Sequence, residues 1–338
     1  MAIDLVIVFL ALSLVLYAVL GGADFGAGLL ELATPSSLRK DVRTLIKLAL
    51  GPVWEANHMW LIIAVVIMFV AFPRGYSLIL THFHIPVTLL LIGIVLRGCA
   101  FTFRHYDPSP NDHGSYSLLF IVGSLIAPLM MGITVAGLLF GKIALHPSTF
   151  YEAYITPWLS IFGILVGVFT LWVFGYLAAV FCVGEVHLHR SHLRFPSQTR
   201  KFFFRMAIRL AAAMIGTGML IMGIGWAYGT HFYTSFFGSK LAIPMMAGAT
   251  ITLVISLSAL LLRKYWVARF LSSASVGSVV LGWIWIRFPI LMDTTEGPIS
   301  LLAIAGPPAT IRLLLIALLA GCFIIFPALY MLFYVFKR

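Results

Sequence analysis

Two side chains that can pass a proton, Glu55 and His58, stand three residues apart in GPVWEANHMWLI, residues 51–62, with Asn57 between them. A carboxylate and an imidazole at that spacing share a helix face, and partial burial lets both exchange protons near neutral pH. A third candidate, Asp24, sits in YAVLGGADFGAG, where Gly22, Gly26 and the alanines leave little bulk. Small residues four apart let helix backbones approach closely, so Asp24 is expected to face protein. Arg97, in LRGCAFTFR at 96–104, is the cation nearest in pattern. The chemistry these types could perform is proton relay. The structural alternatives are ordinary: Glu55 complements the positive end of its helix, Arg97 snorkels to headgroups, and His58 is satisfied by an interhelical hydrogen bond.

The elements that must position these groups are membrane helices. Of 338 residues, 62% are hydrophobic and only 10% are charged, against roughly 25% charged in a soluble domain. Mean hydropathy is +1.06. No packing hides that much apolar surface from water, so the solvent is lipid. A helix needs about 20 apolar residues to cross, which gives about nine spans: 3–30, 52–72, 77–103, 115–140, 155–184, 203–227, 242–262, 266–288 and 308–335. The N-terminal stretch lacks a basic n-region and a cleavage site and is expected to remain as the first span. No connection is long enough to fold by itself, so 1–338 is expected to be one polytopic membrane domain.

A formal charge of +11 need not mean nucleic acid, because basic residues collect at the cytoplasmic ends of spans. Arg39, Lys40, Arg43 and Lys47 lie in the first connection, with Arg97 and Arg104 at the edge of the third. Arg190, Arg194, Arg200, Lys201 and Arg205 fill the fifth, and Arg263, Lys264 and Arg269 the seventh. Lys337 and Arg338 end the chain, while the even connections hold little beyond Arg74, Lys142, Lys240 and Arg287. The expected orientation is N-terminus outside and C-terminus in the cytoplasm.

Orientation turns position into depth. Pro52 suits the first turn of span two, placing Glu55 about 5 Å and His58 about 9 Å along it. Asp24 lies about 30 Å along span one from Asp4, and Arg97 about 30 Å from the start of span three. All three charges then share a layer in the cytoplasmic half, with Trp54 and Asn57 in support. A carboxylate there costs about 2.5–3.5 kcal/mol unless paired or hydrated.

Other chemistries fit less well. Cys99, Cys182 and Cys322 form no close pair and read as buried small hydrophobes. His58 and the pair His82/His84 differ in depth by roughly 15 Å, too far to ligate one haem iron. His187, His189 and His192 read as a solvated, lipid-facing strip, and Trp158, Trp266 and Tyr334 as exposed interfacial anchors. A secondary transporter with a charged intramembrane site is a competing class, as is a haem-bearing cytochrome acting alone.

GGADFGAG at 21–28, GPVWEANHMWLI, LRGCAFTFR and AGPPATIRLLL at 305–315, with the closing FPALYMLFYVF, together resemble subunit II of cytochrome bd-type quinol oxidase. The resemblance implies an all-α integral membrane protein of two four-helix bundles (helices 1–4 over about 3–140, helices 5–8 over about 155–288) and one peripheral helix at about 308–335. It implies a complex in the bacterial inner membrane with a subunit I that carries haem b and haem d and oxidises quinol. No cofactor is then expected on this chain except a structural quinone in some members. A small single-span subunit and membrane lipids complete the expected partners. The family's acid in the W-acid-x-N motif falls on Glu55, and the acid after the small-residue stretch on Asp24. Gly21 stands where many members have another acid, and His58 where others have Gln or Glu.

Overall fold

A computed structural model describes residues 1–51, 54–106, 113–227 and 231–336. Pro52, expected in the first turn of span two, and the basic residues Lys337 and Arg338 lie outside the described residues. Among those described, nine helices are long and apolar enough to cross a membrane. They are α1 Ala2–Leu32, α2 Trp54–Ala71, α3 His84–Tyr106, α4 His113–Phe140, α5 Ile161–Leu188, α6 Pro196–Ala227, α7 Ala242–Leu261, α8 Tyr265–Arg287 and α9 Pro308–Phe336.

Three starts differ from the apolar ruler, each for a local reason. Pro73–His82 forms its own short helix with Pro73 in its first turn, so α3 begins only after the break at Phe83. Ser160 caps α5 by accepting from the Gly163 amide at 2.9 Å, which satisfies one of the helix's orphan donors. At α6 the polar turn from Pro196 extends the helix beyond its apolar part.

Helix α5 is the hub, packing against α1, α4, α6 and α8. Helix α3 pairs with α4 and α7 with α8, while α2 and α9 lie against α1 and each other. Two glycines set the closest approach. A Cβ on Gly26 would overlap the Phe174 carbonyl oxygen of α5, and one on Gly28 would overlap the Ser124 side chain of α4. The second half of α1, which carries Asp24, is thereby wedged between α4 and α5.

Within α1, Tyr17–Gly21 form a π turn. Such a turn carries one residue more than an α turn, and so re-aims the residues that follow it. Downstream of it Asp24, Phe25, Ala27 and Leu30 are buried.

The two ends of the bundle differ. At one end Arg39–Leu50 forms an amphipathic helix, whose Asp41 accepts from the amides of Arg194 (3.1 Å) and Phe195 (2.6 Å). That contact joins the first and fifth connections into one basic end. At the other end a small three-stranded sheet forms, β1 Lys142–Ile143, β2 Ile290–Thr294 and β3 Gly297–Ser300. Strand β1 pairs parallel to β2, with Ile143 opposite Thr294, and β2 pairs antiparallel to β3. Gly297, at φ +128°, makes the tight turn, a backbone state closed to most other residues.

Two sequence expectations are corrected here. Trp158 is not an exposed anchor: it is 8% exposed, packed with Phe83, Ile133, Ile143 and Met292, and its indole donates to the Tyr154 carbonyl at 2.6 Å. The sheet draws that connection inward. Trp266, in contrast, is 81% exposed. Of the cysteines only Cys182 is buried; Cys99 is exposed on the outer face of α3, where lipid or another protein is its only apolar cover.

Candidate functional site

The site is built from three helices. Asp24 on α1 is fully buried, and its Oδ2 accepts a 2.7 Å hydrogen bond from the Asn57 amide on α2. Arg97 on α3, 1% exposed, brings Nη2 to 4.0 Å from the same oxygen. Its Nη1 stands 3.4 Å from His58 Nε2. The guanidinium also lies over the Phe25 ring at 5.1 Å and the Phe120 ring at 5.8 Å. A buried ion must have countercharge and donors to persist, and this arrangement supplies both.

His58 is half-buried in an aromatic box, its ring centre 5.8 Å from Tyr17, 5.7 Å from Phe25 and 6.2 Å from Trp54. Trp54 is fixed in turn against Gly98 of α3, where a Cβ would stand 3.2 Å from its ring. Three buried polar atoms around this cluster have no partner among the described residues: Tyr17 Oη, His58 Nδ1 and Arg97 Nε. Buried polar groups of this kind are commonly satisfied by internal water.

Glu55 is placed differently. On α2 the buried residues are Asn57, Trp60, Ala64, Ile67 and Ala71, a stripe of helical period. Glu55 precedes Asn57 by two residues, about 200° round the helix and about 3 Å along it, and is exposed. The structure therefore brings Asp24, Asn57, His58 and Arg97 together and leaves Glu55 on the outer face at nearly the same level. Convergence of both carboxylates on one internal space is not what the helix phase produces. His58, about 60° from Glu55 and about 100° from Asn57, lies between the two faces.

Three buried carboxylates were not singled out by sequence: Asp41, described above, Glu31 and Glu185. Glu31, two turns after Asp24 on the same face of α1, accepts two 2.9 Å bonds from Arg104 and one of 2.8 Å from Arg43. Glu185 on α5 accepts from Arg269 of α8 at 2.8 Å and lies 3.3 Å from His189 Nε2. His189 thus lies half-buried against that carboxylate, whereas His187 and His192 are exposed. The seven-residue spacing from Asp24 to Glu31 and the four-residue spacing from Glu185 to His189 were the available signals.

Three of the histidines among the described residues have protein partners. His82 bonds the Ala153 carbonyl at 3.0 Å and His84 the Thr81 carbonyl at 2.9 Å. His58 Nε2, the nitrogen an iron would need, faces the Arg97 guanidinium. Among the described residues no three His, Cys, Asp or Glu side chains converge as a metal site requires.

With this geometry in view, the chain was compared with known proteins. The family model of cytochrome bd terminal oxidase subunit II matches residues 2–336. Cytochrome bd ubiquinol oxidase subunit 2 of Bacillus subtilis (strain 168) is 30% identical over 166 residues, 49% of this chain and 48% of that protein. Cytochrome bd-I ubiquinol oxidase subunit 2 of Escherichia coli (strain K12) is 27% identical over 180 residues, 51% of this chain and 47% of that protein. The matched stretch spans about half the length of these curated relatives. A chain in the structure of bd oxidase from Geobacillus thermodenitrificans superposes with a TM-score of 0.76 at 19% identity, covering 98% of both chains, a likeness of fold.

Proposed function

From the premise that this chain belongs to the cytochrome bd terminal oxidase subunit II family, we propose that it is the haem-free partner subunit of a membrane quinol:oxygen oxidoreductase. In this reading a haem-bearing subunit I supplies the redox chemistry. The present chain supports its assembly and gathers protons for the reduction of oxygen to water. The architecture proposed is two four-helix bundles with α9 at the periphery, one polytopic domain in the bacterial inner membrane. The basic end faces the cytoplasm, in keeping with the positive-inside rule.

The observation that carries the proton role is the buried layer of Asp24, Asn57, His58 and Arg97 at the basic end. Glu55, exposed at nearly the same level, takes protons from the headgroup layer. Water oriented by His58 Nδ1–H and Tyr17 Oη carries them inward past the imidazole, whose Nε2 accepts from Arg97 and stays unprotonated. Arg97 is the positioning group: it supplies countercharge to Asp24 and holds the imidazole. Consumption of these protons from one side only lets the reaction charge the membrane. The contact of His58 Nε2 with the Arg97 guanidinium supports this division of labour, because that nitrogen is turned to a cation.

The test is purification of the complex through a tag on this chain, with reduced-minus-oxidised absorption spectra of the complex and of the isolated chain. Haem bands in the complex alone are expected. A haem band from the isolated chain overturns the haem-free reading.

A further inference from the structure

A recess of about 620 Å³ opens at the basic end, bounded by Arg39, Lys40, Arg43 and Lys47 on the amphipathic helix and by Arg104 of α3. Five cations converge there, and the site is organised from beneath. Buried Glu31 holds Arg104 by two bonds and Arg43 through its Nε, and Arg104 lies over the Phe120 ring at 4.7 Å. Two guanidinium groups are thereby fixed in place. The Nη groups of Arg43 make no bond to the described residues. Asp41, the acid on the same helix, is turned away to the amides of Arg194 and Phe195 and neutralises none of these charges. Beneath the cations lie Ile46 and Phe101, both buried in the hydrophobic core.

We propose that this recess binds the phosphodiester headgroup of an anionic phospholipid. Planar guanidinium groups held in place suit a multidentate oxyanion such as a phosphodiester. Basic pockets at the ends of membrane helices recognise headgroups of this class. The recess lies at the ends of the membrane-spanning helices α1 and α3, within reach of lipid headgroups, which favours a headgroup over free phosphate. The site is independent of the proton pathway: none of its five cations touches Asp24, Asn57 or His58.

The test uses the assembled complex in detergent. Phosphatidylglycerol and phosphatidylcholine with identical chains are titrated separately, and bound lipid is measured by native mass spectrometry. Preferential retention of phosphatidylglycerol is expected, with affinity falling on the order of a hundredfold in the triple variant Arg39→Gln/Lys40→Gln/Lys47→Gln. These three side chains are exposed, so the fold survives their replacement. Lys40→Arg/Lys47→Arg is expected to retain the lipid, as is the control Lys142→Gln/Lys240→Gln. Equal retention of both lipids, an unchanged triple variant, an equal loss in the control, or displacement by equimolar inorganic phosphate overturns the proposal.

Discussion

The Asn57 amide donates a 2.7 Å hydrogen bond to Oδ2 of Asp24, and that single carboxylate oxygen joins α1 to α2 while Arg97 of α3 approaches it to 4.0 Å. Three helices are thus tied at one buried point. The carboxylate is held by a neutral donor and a cation together, which is how a charge remains inside a membrane protein.

Replacement of Asp24 by Asn leaves Arg97 buried without its countercharge. Breaking a buried pair from one side costs about 3–5 kcal/mol. The double variant Asp24→Asn/Arg97→Met is expected to lose less than the sum of the single variants, because the two residues share one interaction. Thermal unfolding of the complex, followed through this chain's retention, checks both.

Gly26 carries the contact between α1 and α5. Gly26→Ala drives a methyl group into the Phe174 carbonyl and is expected to cost at least about 3 kcal/mol, the upper range for overpacking. At Gly223 nothing lies within contact distance, and Gly223→Ala is expected to be neutral or to gain about 0.5–1 kcal/mol. Expression level and thermal midpoint of the two variants separate them.

Asp41 fastens the two basic connections. Asp41→Ala strips the charged acceptor from the partly buried Arg194 and Phe195 amides, at a cost of about 1.5–3 kcal/mol, as for a hydrogen bond to a charged group. Faster amide exchange confined to residues 190–200 is the expected signature.

How far the sequence was readable depended on which physical signal carried each feature. Apolar length located all nine spans, because the bilayer's thickness imposes it. It misplaced the starts of α3 and α5, where Pro73–His82 and Phe150–Tyr154 form separate short helices. The sheet left no legible trace, since β1 has two residues and pairs with a strand 151 positions away. Burial of Asp24 was legible from the small residues around it, which only a close helix contact explains. The exposure of Glu55 was not, because α2 is apolar on every side and its pattern does not reveal which face meets protein. Glu31 was legible in principle, two turns from Asp24, yet it stood beside a basic connection that suggested a solvated end.

Glu55 separates proton supply from fold stability. Its exposure means that Glu55→Gln is expected to change stability by no more than about 0.5 kcal/mol, so a loss of turnover cannot be a loss of fold. Quinol-driven oxygen uptake by the assembled complex, at unchanged haem content, is expected to fall at least about tenfold in Glu55→Gln and to fall in Asp24→Asn. Full turnover in both variants, with haem retained, contradicts the account.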